Sequence, residues 1–288
     1  MTNKLQLGII AAAGLAVVLA APAAAQQAAP PSSSSADHIV VPLSHPSQPA
    51  TLKVSTLNGS ITVRAYSGQD VVIDTSGSSD ISRRHRERNP PAEAEGMHRL
   101  NTNTGLTAAE DNNVVTVRTS VMSGGDLVIQ VPARTSLSLR CVNGNMIEVD
   151  GINGDISADA TNGNITLEHV GGSIVASAMN GRILATVAQL DPSKPSSFSS
   201  LNGTIDVTLP ADVKADLKMK TSQGDIYMDD GFNFQATRAP AGSSPGERNG
   251  QGMYVVRVDR NIYGALNGGG PEIRIENYNG NIYVRKAK

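Results

Sequence analysis

From Leu52 the chain sets apolar and polar residues in alternation: Leu52-Lys-Val54-Ser-Thr-Leu57 precedes Asn58-Gly59, and Ile61-Thr-Val63 follows it. Successive side chains of a strand point to opposite faces, so this pattern predicts strands with one face inward and one in water. Asn-Gly between two such runs is the strongest short-range signal for a turn joining strands.

The unit recurs as Asn-Gly-x-Ile. Copies begin at Asn143-Gly144, Asn153-Gly154, Asn162-Gly163, Gly171-Gly172 and Asn180-Gly181, at spacings of 10, 9, 9 and 9 residues. Others lie at Asn202-Gly203, Gln223-Gly224 and Asn279-Gly280. Nine residues accommodate one short strand and a tight turn. Equivalent copies fall 18 or 19 residues apart, which predicts a coil of two strands and two turns, each coil stacking on the next at about 4.8 Å. The expected fold is therefore all-β, a β-solenoid or β-helix-like stack of short strands. Its corners are the Asn-Gly pairs just named, with glycine supplying positive φ and the asparagines stacking into a hydrogen-bonded ladder. Ile156, Ala158, Ala160, Ile174, Ala176 and Ala178 become small late in each strand, which predicts a thin core.

The remaining segments interrupt this pattern. Residues 1–25 read as a signal peptide: Lys4, an apolar run from Leu5 to Ala20, then Ala23-Ala24-Ala25. The apolar run is shorter than the roughly 20 residues a spanning helix needs, so no integral span is expected after cleavage. Residues 26–50, rich in Pro and Ser, read as a disordered linker, and 51–288 as a single β-repeat domain. Two insertions are expected, at about 80–113 and 235–252, the first with one short helix near 90–99 where Pro90-Pro91 precedes an Ala/Glu run; residues 189–198 read as a loop.

Composition narrows the function classes. The net charge is −2, and removing Lys4 with the leader leaves 23 basic against 26 acidic side chains, or −3. No basic stripe accompanies this balance, so no nucleic-acid partner is expected. Trp is absent and Phe numbers three, so the core must be built from aliphatic contacts. The single cysteine, Cys141, excludes an intrachain disulfide and shares a face with Leu137 and Leu139, which makes it a core residue.

The run from Val131-Pro132 through Ser136-Leu-Ser-Leu139, followed by the tandem units and closed by Leu266-Asn267-Gly268-Gly269-Gly270-Pro271 and Asn279-Gly280-Asn281-Ile282, resembles the bacterial putative-adhesin β-repeat family over roughly residues 50–286. The resemblance implies an exported β-solenoid-like protein with an adhesive role.

Candidate chemistry is sparse. Asp155 and Asp225 occupy turn positions comparable to those of calcium-binding repeats, but lack carboxylates from a neighbouring turn. The histidines (His38, His45, His85, His98 and His169) show no metal-ligand spacing, so neither metal nor cofactor is expected. Asp150, Asp155, Asp159 and Glu168 could supply acid–base groups to a carbohydrate-active enzyme, yet 141–190 contains no aromatic residue on which a sugar would stack. The basic cluster 83–88 is diluted by Glu87, Glu93 and Glu95 and reads as a solvated loop. The expectation is thus a non-catalytic, exported scaffold, periplasmic or at the cell surface, contacting an envelope polymer or protein in an adhesin-like or structural role. The alternatives are a periplasmic sensor or accessory protein of an envelope-stress system and, last, a carbohydrate-active β-helix enzyme. Oligomeric state is left open.

Overall fold

The computed structural model describes residues 38–76, 105–119, 125–237, 247–248, 254–255 and 261–288. These residues are all-β, with no helix among them. The short helix expected near 90–99 lies outside them. In chain order the strands are β1 (His38–Val41), β2 (Thr51–Asn58), β3 (Ile61–Tyr66), β4 (Val71–Ser76), β5 (Leu106–Asp111), β6 (Val114–Thr119) and β7 (Asp126–Pro132). There follow β8 (Ser136–Asp150), β9 (Ile156–Gly172), β10 (Ile174–Asn180), β11 (Ile183–Leu190), β12 (Ser196–Asn202), β13 (Ile205–Leu209) and β14 (Ala215–Gln223). The last are β15 (Ile226–Met228), β16 (Phe234–Thr237), β17 (Glu247–Arg248), β18 (Tyr254–Val255), β19 (Ile262–Leu266), β20 (Glu272–Asn279) and β21 (Ile282–Lys286).

Two parallel ladders organise these strands. The first runs β6, β2, the front half of β8, the front half of β9, β10, β12, β20 and β14. The second runs β7, β3, the rear half of β8, the rear half of β9, β11, β13, β21 and β15. In the repeat, paired residues are 18 or 19 apart, as in Asn180 with Asn162 and Asn162 with Asn143. Isoleucine explains much of the second ladder, through the units at Asn58, Asn162, Asn180, Asn202 and Asn279 and through Ile147, which follows Met146; Ile156 and Ile174, from the units at Asn153 and Gly171, lie in the first ladder. Ile61, Ile147, Ile165, Ile183, Ile205 and Ile282 stand in one register row and are fully buried. A β-branched side chain suits a pleated, buried position, so each of these six supplies the same contact to its neighbours. In the first ladder Ala158 and Ala176 form a narrow stretch beside Phe198, the largest fully buried side chain.

Spatial order departs from chain order at both ends. β2 and β3 lie between β6–β7 and β8, and β20 and β21 lie between β12–β13 and β14–β15. The copy at Asn279 therefore stands between those at Asn202 and Gln223. Antiparallel strands continue the sheet beyond each end: β5 on β6, β4 on β7 and β1 on β4 at one, β19 on β14 and β16 on β19 at the other.

Four segments differ from expectation. The linker expected to run to residue 50 ends earlier: His38–Val41 is a strand paired with β4, and Val41, Leu43 and Ala50 are buried. The β-branched run Ile39-Val40-Val41 outweighs the surrounding prolines. Asn113 then clamps the following turn, accepting from the His45 amide and donating to its carbonyl, both at 2.7 Å. The 80–113 insertion contains β5, and that at 235–252 contains the end of β16 and all of β17. The loop expected at 189–198 narrows to residues 191–195, because β11 extends to Leu190 and β12 begins at Ser196.

Candidate functional site: the turn rows and the groove beside them

The structure sorts the corner residues into two groups. Asn58, Asn143, Asn162, Asn180, Asn202, Asn279 and Gln223 form a single register row along the first ladder. The expected asparagine ladder is present in it: each side-chain amide donates to the next carboxamide oxygen from Asn162 to Asn143 (3.0 Å), Asn180 to Asn162 (3.0 Å), Asn202 to Asn180 (2.9 Å) and Asn279 to Asn202 (3.5 Å). Asn153, Gly154, Gly171 and Gly172 belong elsewhere, where Asn153 bridges to Gly171 and the Cβ that any other residue would place at Gly172 meets the Gly154 carbonyl.

Beside the asparagines runs a row of glycines whose role differs from the one expected. Positive φ holds at some positions, such as Gly59 (φ 103°) and Gly280 (φ 138°), but not at Gly144, Gly154, Gly163, Gly171 or Gly181. At those five the constraint is space. A Cβ at Gly144 would strike the carbonyl oxygen of Gly59, one at Gly163 that of Gly144, and one at Gly181 that of Gly163. The pattern continues with Gly203 on Gly181, Gly280 on Gly203 and Gly224 on Gly280. Each turn thus sits on the backbone of the next. Several of these carbonyls accept a hydrogen bond from an inward side chain two residues before an asparagine or its equivalent: Cys141 to Gly59 (3.2 Å), Ser200 to Gly181 (3.1 Å), Asn277 to Gly203 (2.7 Å) and Thr221 to Gly280 (3.0 Å). Cys141 is buried as expected, and burial pushes its thiol pKa up, which keeps it protonated and unreactive.

This local design opens a groove. The residue two before each asparagine or its equivalent is short and turned inward, while those three and one before face outward. The first outward row is Arg140, Asp159, Ser177, Ser199, Glu276 and Lys220, each in register with the next. The second is Val142, Thr161, Met179, Leu201, Tyr278 and Ser222. All twelve, with Ala160, Ala178, Ser200 and Asn277 between the rows, line a shallow groove of about 640 Å³ crossing six strands. At about 4.8 Å per strand it is roughly 24 Å long. Nothing in the turn motif marks these positions. The available signal is the identity of the residues one and three before each asparagine, read down the copies.

The candidate acid–base groups are dispersed. Asp159 lies in the groove, 3.9 Å from the Arg140 guanidinium. Asp155, at the other set of corners, receives the Lys194 ammonium at 2.7 Å and the Ser173 amide at 3.3 Å. Asp225, the other turn aspartate, accepts from the Tyr227 hydroxyl at 3.3 Å. Asp150 and Glu168 are brought together with His169, whose Nδ1 is 3.1 Å from Asp150; one ligand atom from each falls within 4.8 Å of the others. The 18-residue offset between Asp150 and Glu168 is the repeat period, and that is the sequence signal for this contact. His38 pairs with Asp74 at 2.6 Å. His85, His98 and the basic cluster 83–88 lie outside the described residues.

Aromatic groups missing from 141–190 arrive from the chain's end. Tyr278 enters the groove, and on the second ladder Tyr227 and Tyr283 stack with centroids 5.2 Å apart. Beside them Asp206, nearly buried, accepts from Arg285 at 2.8 Å and lies 4.0 Å from Arg182. That hydrogen bond, with the attraction between the two charges, raises the Arg285 pKa further. No helix among the described residues is long and apolar enough to cross a membrane.

No protein-family model matches the chain, and no curated protein matches it. Among solved structures it is similar to a putative cell adhesion protein from Clostridium sporogenes ATCC 15579, at 11% identity and a TM-score of 0.39, covering 88% of this chain and 100% of that one. It is also similar to a putative adhesin from Bacteroides fragilis NCTC 9343, at 10% identity and a TM-score of 0.33, covering 88% of this chain and 97% of that one.

Proposed function

We propose that this protein is an exported, non-catalytic β-solenoid acting as an adhesin-like or structural scaffold of the cell envelope, and that the groove on its first ladder is the contact surface. The observation that carries this reading is the groove itself, a continuous trough assembled from one small contribution per strand. A surface built by repetition suits a partner that is itself extended and repetitive, gripped through many weak contacts. Two features of the groove favour binding over catalysis: its two carboxylates, Asp159 and Glu276, lie on different sides of the serines, and each sits beside a basic side chain, Arg140 and Arg274 respectively. The solenoid reading rests on the two ladders sharing β8 and β9 and on their common period of 18 or 19 residues.

The test is co-sedimentation of the purified protein with washed envelope material. Ser199→Arg fills the middle of the groove with a long charged side chain, and retention should fall at least about tenfold, equivalent to about 1.4 kcal/mol of binding free energy. Thr186→Arg places the same charge on the outward side of the second ladder and should leave retention unchanged. Equal weakening in both variants, or in neither, contradicts the groove as the contact surface.

A further inference from the structure

We infer that the occupant of the groove is a linear, uncharged polysaccharide lying along the stack, across the strands; this rests on the scaffold reading above and names its ligand class. The first ground is charge. The outward row carries Arg140 and Lys220 against Asp159 and Glu276, two charges of each sign. Arg140 lies 3.9 Å from Asp159, Glu276 lies 3.4 Å from Arg274, and Lys220 is in register with Glu276. A trough neutral overall, with a carboxylate on each side of the serines and a cation beyond each carboxylate, offers no net attraction to a polyanion or a polycation.

The second ground is the middle of the groove. Ser177 and Ser199 are register neighbours there, and neither hydroxyl is engaged by a hydrogen bond among the described residues. Each can donate once and accept twice, the pattern that matches sugar hydroxyls. The third ground is the margin: Met179 (50% exposed), Leu201 (44%) and Tyr278 (53%) form an apolar rail along one side. A sugar has an apolar C–H face and a hydroxyl rim, so a chain set in this trough places one against Tyr278 and Leu201 and the other against the serines. Periodicity is the fourth: strands about 4.8 Å apart repeat at a distance comparable to the advance per ring of an extended hexose chain. A peptide added as a further strand requires an open strand edge, whereas this groove lies on the sheet face.

Affinity electrophoresis of the full chain in native gels tests this directly. The probes are hydroxyethyl cellulose, laminarin, dextran and galactomannan as uncharged polymers, and polygalacturonate as the polyanion. At least one uncharged polymer should retard the protein and polygalacturonate should not. Tyr278→Ala, at an exposed position that leaves the core intact, should weaken that retardation roughly tenfold, and Ser199→Arg should abolish it. Tyr227→Ala, on the other ladder, should retain the parent mobility shift. The inference is overturned if none of the four uncharged polymers retards the protein, if polygalacturonate alone does, or if retardation survives both groove variants. If no uncharged polymer retards the chain while Ser199→Arg still releases it from envelope material, the ligand class fails and the scaffold reading stands.

Discussion

Gly181→Val is expected to lower the midpoint of thermal unfolding by roughly 6–12 °C, taking about 3 kcal/mol of overpacking and 2–4 °C per kcal/mol for a domain of this size. The cause is the glycine row. A Cβ at Gly181 would collide with the carbonyl oxygen of Gly163, a backbone atom fixed within the parallel ladder, and a side chain cannot swing away from its own Cβ. Relief requires β10 and β9 to separate locally, which strains the hydrogen bonds on both sides. Asn180→Ala is the informative comparison. It removes two exposed ladder hydrogen bonds, to Asn162 and from Asn202, and should cost only about 1 kcal/mol. The two variants, compared by differential scanning calorimetry, separate the residue that makes the turn possible from the one that decorates it. A Gly181→Val midpoint equal to that of Asn180→Ala would show that the turns are not in backbone contact.

Phe198→Ala should be at least as costly, about 3–5 kcal/mol and roughly 6–20 °C in the same measurement. Phe198 is fully buried, with Ala176 on one side in register and Ile275 on the other. Alanine there would stand beside Ala176 and Ala158, so the short neighbours could not close over the cavity. Phe198→Leu keeps most of the volume and should recover the larger part of the stability. If Phe198→Ala melted within a degree or two of the parent protein, the first ladder would not enclose a packed core at that level.

Much of this arrangement is legible in the residues because most Asn-Gly-x-Ile copies place the isoleucine at the same depth. Most of the isoleucine row follows from the motif, and so does the asparagine ladder once the 18- or 19-residue offset is recognised, but the place of Ile147 in that row follows from a register irregularity after Asn143. Three things are not encoded there. The spacing of copies says nothing about where a terminal copy docks, so the insertion of β20–β21 between β12–β13 and β14–β15 is visible only as pairing. A glycine's identity does not reveal whether it answers positive φ, as at Gly59, or lack of space, as at Gly163. The groove depends on outward residues that differ from copy to copy, where the repeat imposes no rule. Cys141 is readable, since Leu137 and Leu139 set its face. Asp150 and Glu168 carry only the weaker signal of the 18-residue offset, applied to positions outside the motif, and His169 joins them without any.

The proposed contact surface exists only if the groove crosses six strands in the order β8, β9, β10, β12, β20, β14, with a strand from the chain's end completing it. A pair of cysteines tests that order. In a Cys141→Ala background, Ser199→Cys with Glu276→Cys places the thiols at register neighbours on adjacent strands, within the roughly 4.4–6.8 Å Cα separation a disulfide tolerates. Mild oxidation should close this bond in the folded protein without lowering its melting temperature, while Ser199→Cys with Lys220→Cys, two strands apart, should stay reduced. Closure of the Ser199–Lys220 pair in preference would mean that β14 follows β12 directly, and the groove as described would not exist.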